Sequence, residues 1–195
     1  MTLVFATHNL NKLKEVQALV PEHIHLKSLT DIGCHEDIIE DAPTITGNAI
    51  LKAQYVKENY GYDCFADDTG LEVTALQGAP GVYSARYAGP QKNAQDNMDK
   101  LLRELHSYTN RQAQFKTVIA FAKADTIQTF DGICKGTISL HKQGEQGFGY
   151  DPIFIPEDHT LTFAQMTQAQ KGIVSHRGRA MTLFIDYLSQ KQYNQ

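Results

Sequence analysis

Leu3, Val4, Phe5 and Ala6 form an unbroken apolar run that gives way to polar Thr7-His8-Asn9. Leu13, Val16 and Val20 then recur at near-helical spacing up to Pro21. This pattern predicts a short buried strand, a turn and a helix. A second strand is predicted between Ile24 and Leu29. From Thr44 to Asn59, Ile45, Ala49, Ala53 and Val56 fall on one helical face that Gly61 closes. That helix leads into the apolar strand Cys64-Phe65-Ala66, which the pair Asp67-Asp68 is expected to halt. Gly70, Gly78, Pro80, Gly81 and Gly89 then predict a mostly irregular stretch with a brief extended piece from Leu71 to Thr74. A helix is predicted from Asn93 to Leu105. Residues 114–124 and 126–140, rich in Val, Ile, Phe and Thr and parted near Asp125, read as an antiparallel hairpin. Beyond the glycine-rich residues 144–149 and the breaks at Pro152 and Pro156, a last amphipathic helix is marked by Ala180, Leu183, Phe184, Tyr187 and Leu188. Helices mingle with strands and at least one hairpin, so the expected class is α/β with a mixed rather than purely parallel sheet.

Composition narrows the class. A chain of 195 residues with 42% hydrophobic and 21% charged residues has the balance of a compact soluble protein. At this length about 70% of the unfolded surface can be buried without crosslinks. There is no repeat, low-complexity tract or Pro/Gly/Ser linker, so residues 1–195 are expected to form one domain, with room for two lobes. Cys34, Cys64 and Cys134 are odd in number and widely spaced, which fits a reducing compartment. No apolar run reaches membrane-spanning length, and the first residues lack the basic-then-apolar order of a secretory leader. A cytoplasmic location without membrane attachment is expected. The formal charge of −4 argues against a nonspecific grip on nucleic acid but leaves room for a small phosphate ligand.

Four places could carry chemistry. Thr7-His8-Asn9-Leu10-Asn11-Lys12 lies where a strand meets a helix, so helix N–H groups and a lysine could receive a phosphate; a plain N-cap by Thr7 or Asn9 is the simpler explanation. Asp67-Asp68-Thr69-Gly70 offers two carboxylates that an extended chain would point to opposite faces, one of them suited to hold Mg²⁺ or deprotonate water. An Asx-turn is equally ordinary there. Glu40 and Asp41 add an acidic pair ahead of Pro43, whose plain alternative is a solvated charge run opening a helix. Gly147-Phe148-Gly149-Tyr150-Asp151-Pro152 could stack an aromatic ring on a flat ligand, or could be a glycine turn with core aromatics. Ser175-His176-Arg177-Gly178-Arg179, with Lys171 upstream, puts cations at a helix N-terminus, where an anion or a nucleobase oxygen would account for them. Together the four point to a nucleotide phosphate. The remaining histidines show no metal spacing, and no nucleophile set is evident.

These residues also match a known pattern. Ala6-Thr7-His8-Asn9 through Lys12, Asn48-Ala49-Ile50-Leu51-Lys52-Ala53, Ala66-Asp67-Asp68-Thr69-Gly70-Leu71 with Gly78 through Tyr87, Gly147 through Pro152, and Ser175-His176-Arg177 occur in one order along nearly the whole chain. In this the chain resembles the inosine triphosphate pyrophosphatase family, the RdgB-like noncanonical purine nucleoside triphosphate pyrophosphatases. The resemblance implies Mg²⁺-dependent hydrolysis of ITP, dITP and XTP to the monophosphate and pyrophosphate by a homodimer that cleanses the nucleotide pool. It also implies an elongated α/β fold of two lobes flanking a substrate groove. By the same resemblance, Thr7 to Lys12 bind the triphosphate, Asp68 is general base and metal ligand, and Glu40 is the second metal ligand. Thr69 contacts substrate. Phe148, Gly149, Tyr150 and Asp151, with Lys171, His176 and Arg177, form the base and ribose pocket.

Two positions depart from that pattern: His8 stands where many relatives have glycine, and Gly47 where some have glutamate. The first could alter triphosphate affinity; the second weakens any metal role for that helix. Two rivals are a Maf-like pyrophosphatase for modified pyrimidine nucleotides, and a nucleotide-sensing or RNA-binding module without turnover.

Overall fold

The structure, a computed structural model, describes residues 1–193. Seven strands form one mixed sheet: β1 (Thr2–Phe5), β2 (His25–Lys27), β3 (Cys64–Val73), β4 (Pro80–Gly81), β5 (Gln112–Lys123), β6 (Thr126–Ile138) and β7 (Phe154–Pro156). Their order is β2-β1-β3-β5-β6-β7, with β4 paired to β3. β1 pairs in parallel with β2 and β3, whereas β3 with β4 and β6 with β7 are antiparallel. The predicted mixed α/β architecture is therefore present. The five α-helices of the described residues are α1 (Leu10–Gln17), α2 (Ile45–Tyr60), α3 (Ala94–Glu104), α4 (Gln168–Val174) and α5 (His176–Tyr193). Among the described residues no helix is long and apolar enough to cross a membrane.

Local chemistry sets several boundaries. Thr44 caps α2 by accepting the Gly47 N–H at 3.0 Å, and Gly61 ends it in the left-handed conformation at φ +72. Asn93 caps α3 through the N–H groups of Gln95 and Asp96. β5 and β6 are sheet neighbours joined through Ala124 and Asp125 alone, a connection so short that they must run antiparallel. Two expectations are corrected. β3 does not stop at Asp67-Asp68 but continues to Val73, taking in the predicted extended piece; and α4, which the apolar pattern did not reveal, precedes α5.

The chain divides into two compact units, each assembled from separated segments. Among the described residues the first comprises 1–68, 117–132 and 177–193; the second comprises 69–116 and 133–176. In the first, Leu3, Phe5, Val16, Phe65, Ile119, Phe121 and Phe184 belong to one core, with the Phe5 and Phe65 rings stacked at 4.6 Å. In the second, Leu71, Met98, Leu101, Phe115, Phe154 and Phe163 do the same, and Phe115 meets Phe154 edge-on at 4.7 Å. β5 shows the two environments along one strand. Its first residues alternate in burial, while Thr117 to Ala122 are buried without a break, as in a strand covered on both faces. Cys34, Cys64 and Cys134 are buried thiols, and burial pushes Cys64 up to about 12.

Candidate functional site

In the first unit, β1 ends and α1 begins at the loop singled out above. Asn9 is the cap, its Oδ1 accepting the N–H groups of Asn11 and Lys12 at 3.0 and 3.1 Å, while Thr7 Oγ1 accepts the Asn9 N–H. His8, Asn9, Leu10 and Asn11 are exposed, and His8 Nε2 donates to the Glu36 carbonyl at 3.0 Å. Lys12 is not a mobile surface cation. Its Nζ lies 2.8 Å from Asp67 Oδ1.

Asp67 and Asp68 point to different partners, as alternation along an extended strand requires. Asp67, 2% exposed, is held on one oxygen by Lys12 and on the other by Arg177, whose Nε and Nη2 donate at 3.0 and 2.9 Å. Glu15 takes Arg177 Nη1 at 2.6 Å. Burial alone would raise the Asp67 carboxyl, but Lys12, Arg177 and Lys52 outweigh it and hold it well below the usual range. Asp68 differs: burial dominates and raises its pKa, with Glu40 and Asp67 adding to that and Lys52 and Lys12 opposing it.

The residue that joins the acids was not singled out from sequence as a site residue. Lys52, 7% exposed on α2, donates to Glu40 Oε1 at 2.9 Å and to the Asp67 carbonyl at 2.8 Å, and lies 3.7 Å from Asp68 Oδ1. Burial works against its charge, but Asp68, Glu40 and Asp67 prevail and raise its pKa. A signal was available in the chain: Asn48 and Lys52 sit in the apolar stripe of Ile45, Ala49, Ala53 and Val56, and a lysine in a core stripe requires an anionic partner.

This network sets four carboxylates (Glu15, Glu40, Asp67, Asp68) against three cations (Lys12, Lys52, Arg177). A polyanionic ligand entering it needs further positive charge. Glu40 and Asp68 already share one ammonium, and their hard oxygen donors suit Mg²⁺, which typically takes one or two carboxylates and fills its shell with water and phosphate oxygens. Among the described residues no group of three or more His, Cys, Asp or Glu converges, so most of such an ion's ligands would come from outside the protein.

The second unit gathers Phe148, Gly149, Tyr150, Asp151, Lys171 and His176, and Thr69 also belongs to it. Asp151 is buried, and its Oδ2 accepts the Phe148 N–H at 2.8 Å and meets Lys171 Nζ at 2.5 Å. The ammonium stands 5.1 Å from the Phe148 ring centroid, within cation–π range. Lys171 projects from α4, which the Thr167–Gln170 capping box starts. His176, 3% exposed, stacks on Phe115 at 4.4 Å. Tyr150 is a core residue whose hydroxyl donates to the Ser84 carbonyl at 2.9 Å, leaving Phe148 as the half-buried aromatic of the loop. His176 and Arg177, neighbours in sequence, thus serve different units: Arg177 joins the aspartate network rather than the Lys171 cluster.

The glycines of this loop are not equivalent. A Cβ on Gly147, at φ +76, would stand 2.0 Å from Asp151 Oδ2, whereas one on Gly149, at φ +64, meets nothing within 4 Å. Gly147→Ala is expected to destabilise the protein by well over about 1 kcal/mol and Gly149→Ala by less, because only the first adds a clash to backbone strain. Denaturant unfolding of the two variants checks the order.

The chain is similar to known proteins over nearly its whole length. The Ham1 family pattern matches residues 3–187. The dITP/XTP pyrophosphatase of Flavobacterium psychrophilum is 60% identical over 96% of this chain and 98% of its own length, and that of Porphyromonas gingivalis is 50% identical over 95% and 96%. The solved Staphylococcus aureus Ham1 protein has a TM-score of 0.89 at 38% identity, with 98% of this chain and 100% of that one covered. A Mycobacterium abscessus structure described as a nucleoside-triphosphatase and dITP/XTP pyrophosphatase has a TM-score of 0.77 at 36% identity, covering 95% and 99%. Family match, identity and backbone likeness all extend over nearly the full length, and the chain belongs to the Ham1 family.

Proposed function

We propose that this protein hydrolyses noncanonical purine nucleoside triphosphates, namely ITP, dITP and XTP, to the monophosphate and pyrophosphate. The observation that carries the reading is Asp68: a buried carboxylate, raised in pKa, beside a lysine that is itself bound to Glu40. Such a group can take a proton from water. The oxygen of that water bonds to the α-phosphorus, the bond from that phosphorus to the bridging oxygen breaks, the proton passes to Asp68, and pyrophosphate departs. Lys12 and Lys52 lower the repulsion that the water meets. Mg²⁺, held by Glu40 and Asp68, would neutralise phosphate charge and stabilise the leaving group.

Phe148 supplies an aromatic face for the purine, and Lys171 and His176 are the donors proposed to address a 6-oxo group. A donor that satisfies the oxygen of hypoxanthine or xanthine is left facing another donor when adenine enters, which disfavours ATP. The family resemblance further supports a homodimer acting in the cytoplasm. The relatives' names support this substrate class over modified pyrimidine nucleotides. A panel of ITP, dITP, XTP, GTP, ATP and modified pyrimidine triphosphates, with product identification, tests it: pyrophosphate from ITP, dITP and XTP is expected, with little from GTP or ATP. Orthophosphate alone, preference for pyrimidines, or binding without turnover would overturn it.

A further inference from the structure

Glu40 sits in the segment 36–42, which has no regular secondary structure but runs antiparallel along α2 and is tied to it at three levels. At one end the Ala42 N–H donates to Asn48 Oδ1 at 3.0 Å, and a Cβ on Gly47 would stand 2.7 Å from that of Ala42, so the absent side chain permits the approach. In the middle Lys52 donates to Glu40. At the other end the hydroxyls of Tyr55 and Tyr60 both donate to Glu36 Oε1 at 2.7 Å. Asn48, Lys52 and Tyr55 are spaced i, i+4, i+7, one face of the helix. Glu36 also reaches the other side of the site, because its main-chain carbonyl accepts from His8 in the loop that leads to Lys12.

We infer that Glu36 is a positioning residue for the proposed reaction: clasped by Tyr55 and Tyr60 and bridged by His8, it holds the Glu40 segment on α2 and ties it to the Thr7–Lys12 loop. This rests on the function proposed above and gives it a part that neither the motifs nor the family match assigns. Hydrogen bonds to an ionised carboxylate are the stronger kind, and two from tyrosine keep the Glu36 carboxyl charged down to about 2. Without the clasp, Glu40 keeps its lysine but loses the anchor four residues away, so the segment samples other positions and a cation there loses one well-placed ligand. The bonds lie at the surface, where water replaces them readily, so global stability depends little on them.

The test compares wild type with Tyr55→Phe/Tyr60→Phe, Glu36→Gln and Glu36→Ala. For the tyrosine double variant and Glu36→Ala, the Mg²⁺ concentration for half-maximal pyrophosphate release from ITP should rise about tenfold, the size usual for an outer-shell partner. KM for ITP at saturating Mg²⁺ and the melting temperature should change little. Amide hydrogen exchange across residues 37–42 should accelerate in the same two variants. Glu36→Gln, whose amide oxygen still accepts both hydroxyls, should retain the wild-type pattern. Unchanged exchange together with unchanged metal dependence in the double variant would overturn the inference. If wild type releases no pyrophosphate, the proposed function fails, yet exchange still decides the clasp: acceleration upholds it and no change rejects it.

Discussion

Asp68→Asn is expected to lower the turnover of ITP by about 10²- to 10⁴-fold, the range that general acid–base catalysis contributes. The amide keeps the shape of the carboxylate but cannot take the proton, and it binds a hard cation poorly. The same substitution should leave the protein as stable as wild type or more so. Burial already disfavours the charged form of Asp68, and Lys52 keeps its shorter bonds to Glu40 and to the Asp67 carbonyl. A loss of activity with no fall in melting temperature is the signature of a group maintained for chemistry at some expense to the fold. Single-turnover pyrophosphate release and thermal unfolding of one preparation measure both quantities. Turnover within a fewfold of wild type would remove Asp68 from the mechanism.

The adjacent residue should behave in the opposite way. Asp67→Asn leaves Lys12 and Arg177 buried without their shared carboxylate, and breaking a buried pair by removing one partner costs about 3–5 kcal/mol. For a chain of this size that corresponds to a melting temperature lower by about 10 °C. The pH dependence has a definite sign. The native Asp67 carboxyl is held below its unfolded value, so its contribution is complete above about pH 4 and is lost as pH falls toward the native value. The variant should therefore lose less stability than wild type on acidification below about pH 4, which unfolding curves at several pH values would reveal. Equal stability of the two proteins at neutral pH would contradict the network.

Why these neighbours differ is also why one expectation from sequence failed. Asp-Asp-Thr-Gly is turn material when only its own neighbourhood is considered, and the strand was expected to end there. It continues because Lys12, 55 residues earlier, and Arg177, 110 residues later, neutralise Asp67 inside the first unit. Tyr150 shows the same limit. Beside two glycines it looked available for stacking, but its hydroxyl meets the carbonyl of Ser84, 66 residues away. α4 was a different matter. The Thr167–Gln170 capping box stood in plain view, but seven residues carry too little periodicity to register as a helix.

The local residue pattern accounts for the elements whose causes are local: β1 from its apolar run, α2 between Thr44 and Gly61, α3 behind Asn93, and the hairpin of β5 and β6. It also marked out the segments that carry the chemistry, because strand ends, glycine loops and helix starts are written in adjacent residues. Which charge answers which is visible only in the folded chain: Arg177 to Asp67 rather than to the cluster of Lys171, Lys52 between Glu40 and Asp68, and Glu36 beneath two tyrosines. Charge pairing depends on distance through space and on burial, and neither quantity is a function of separation along the chain.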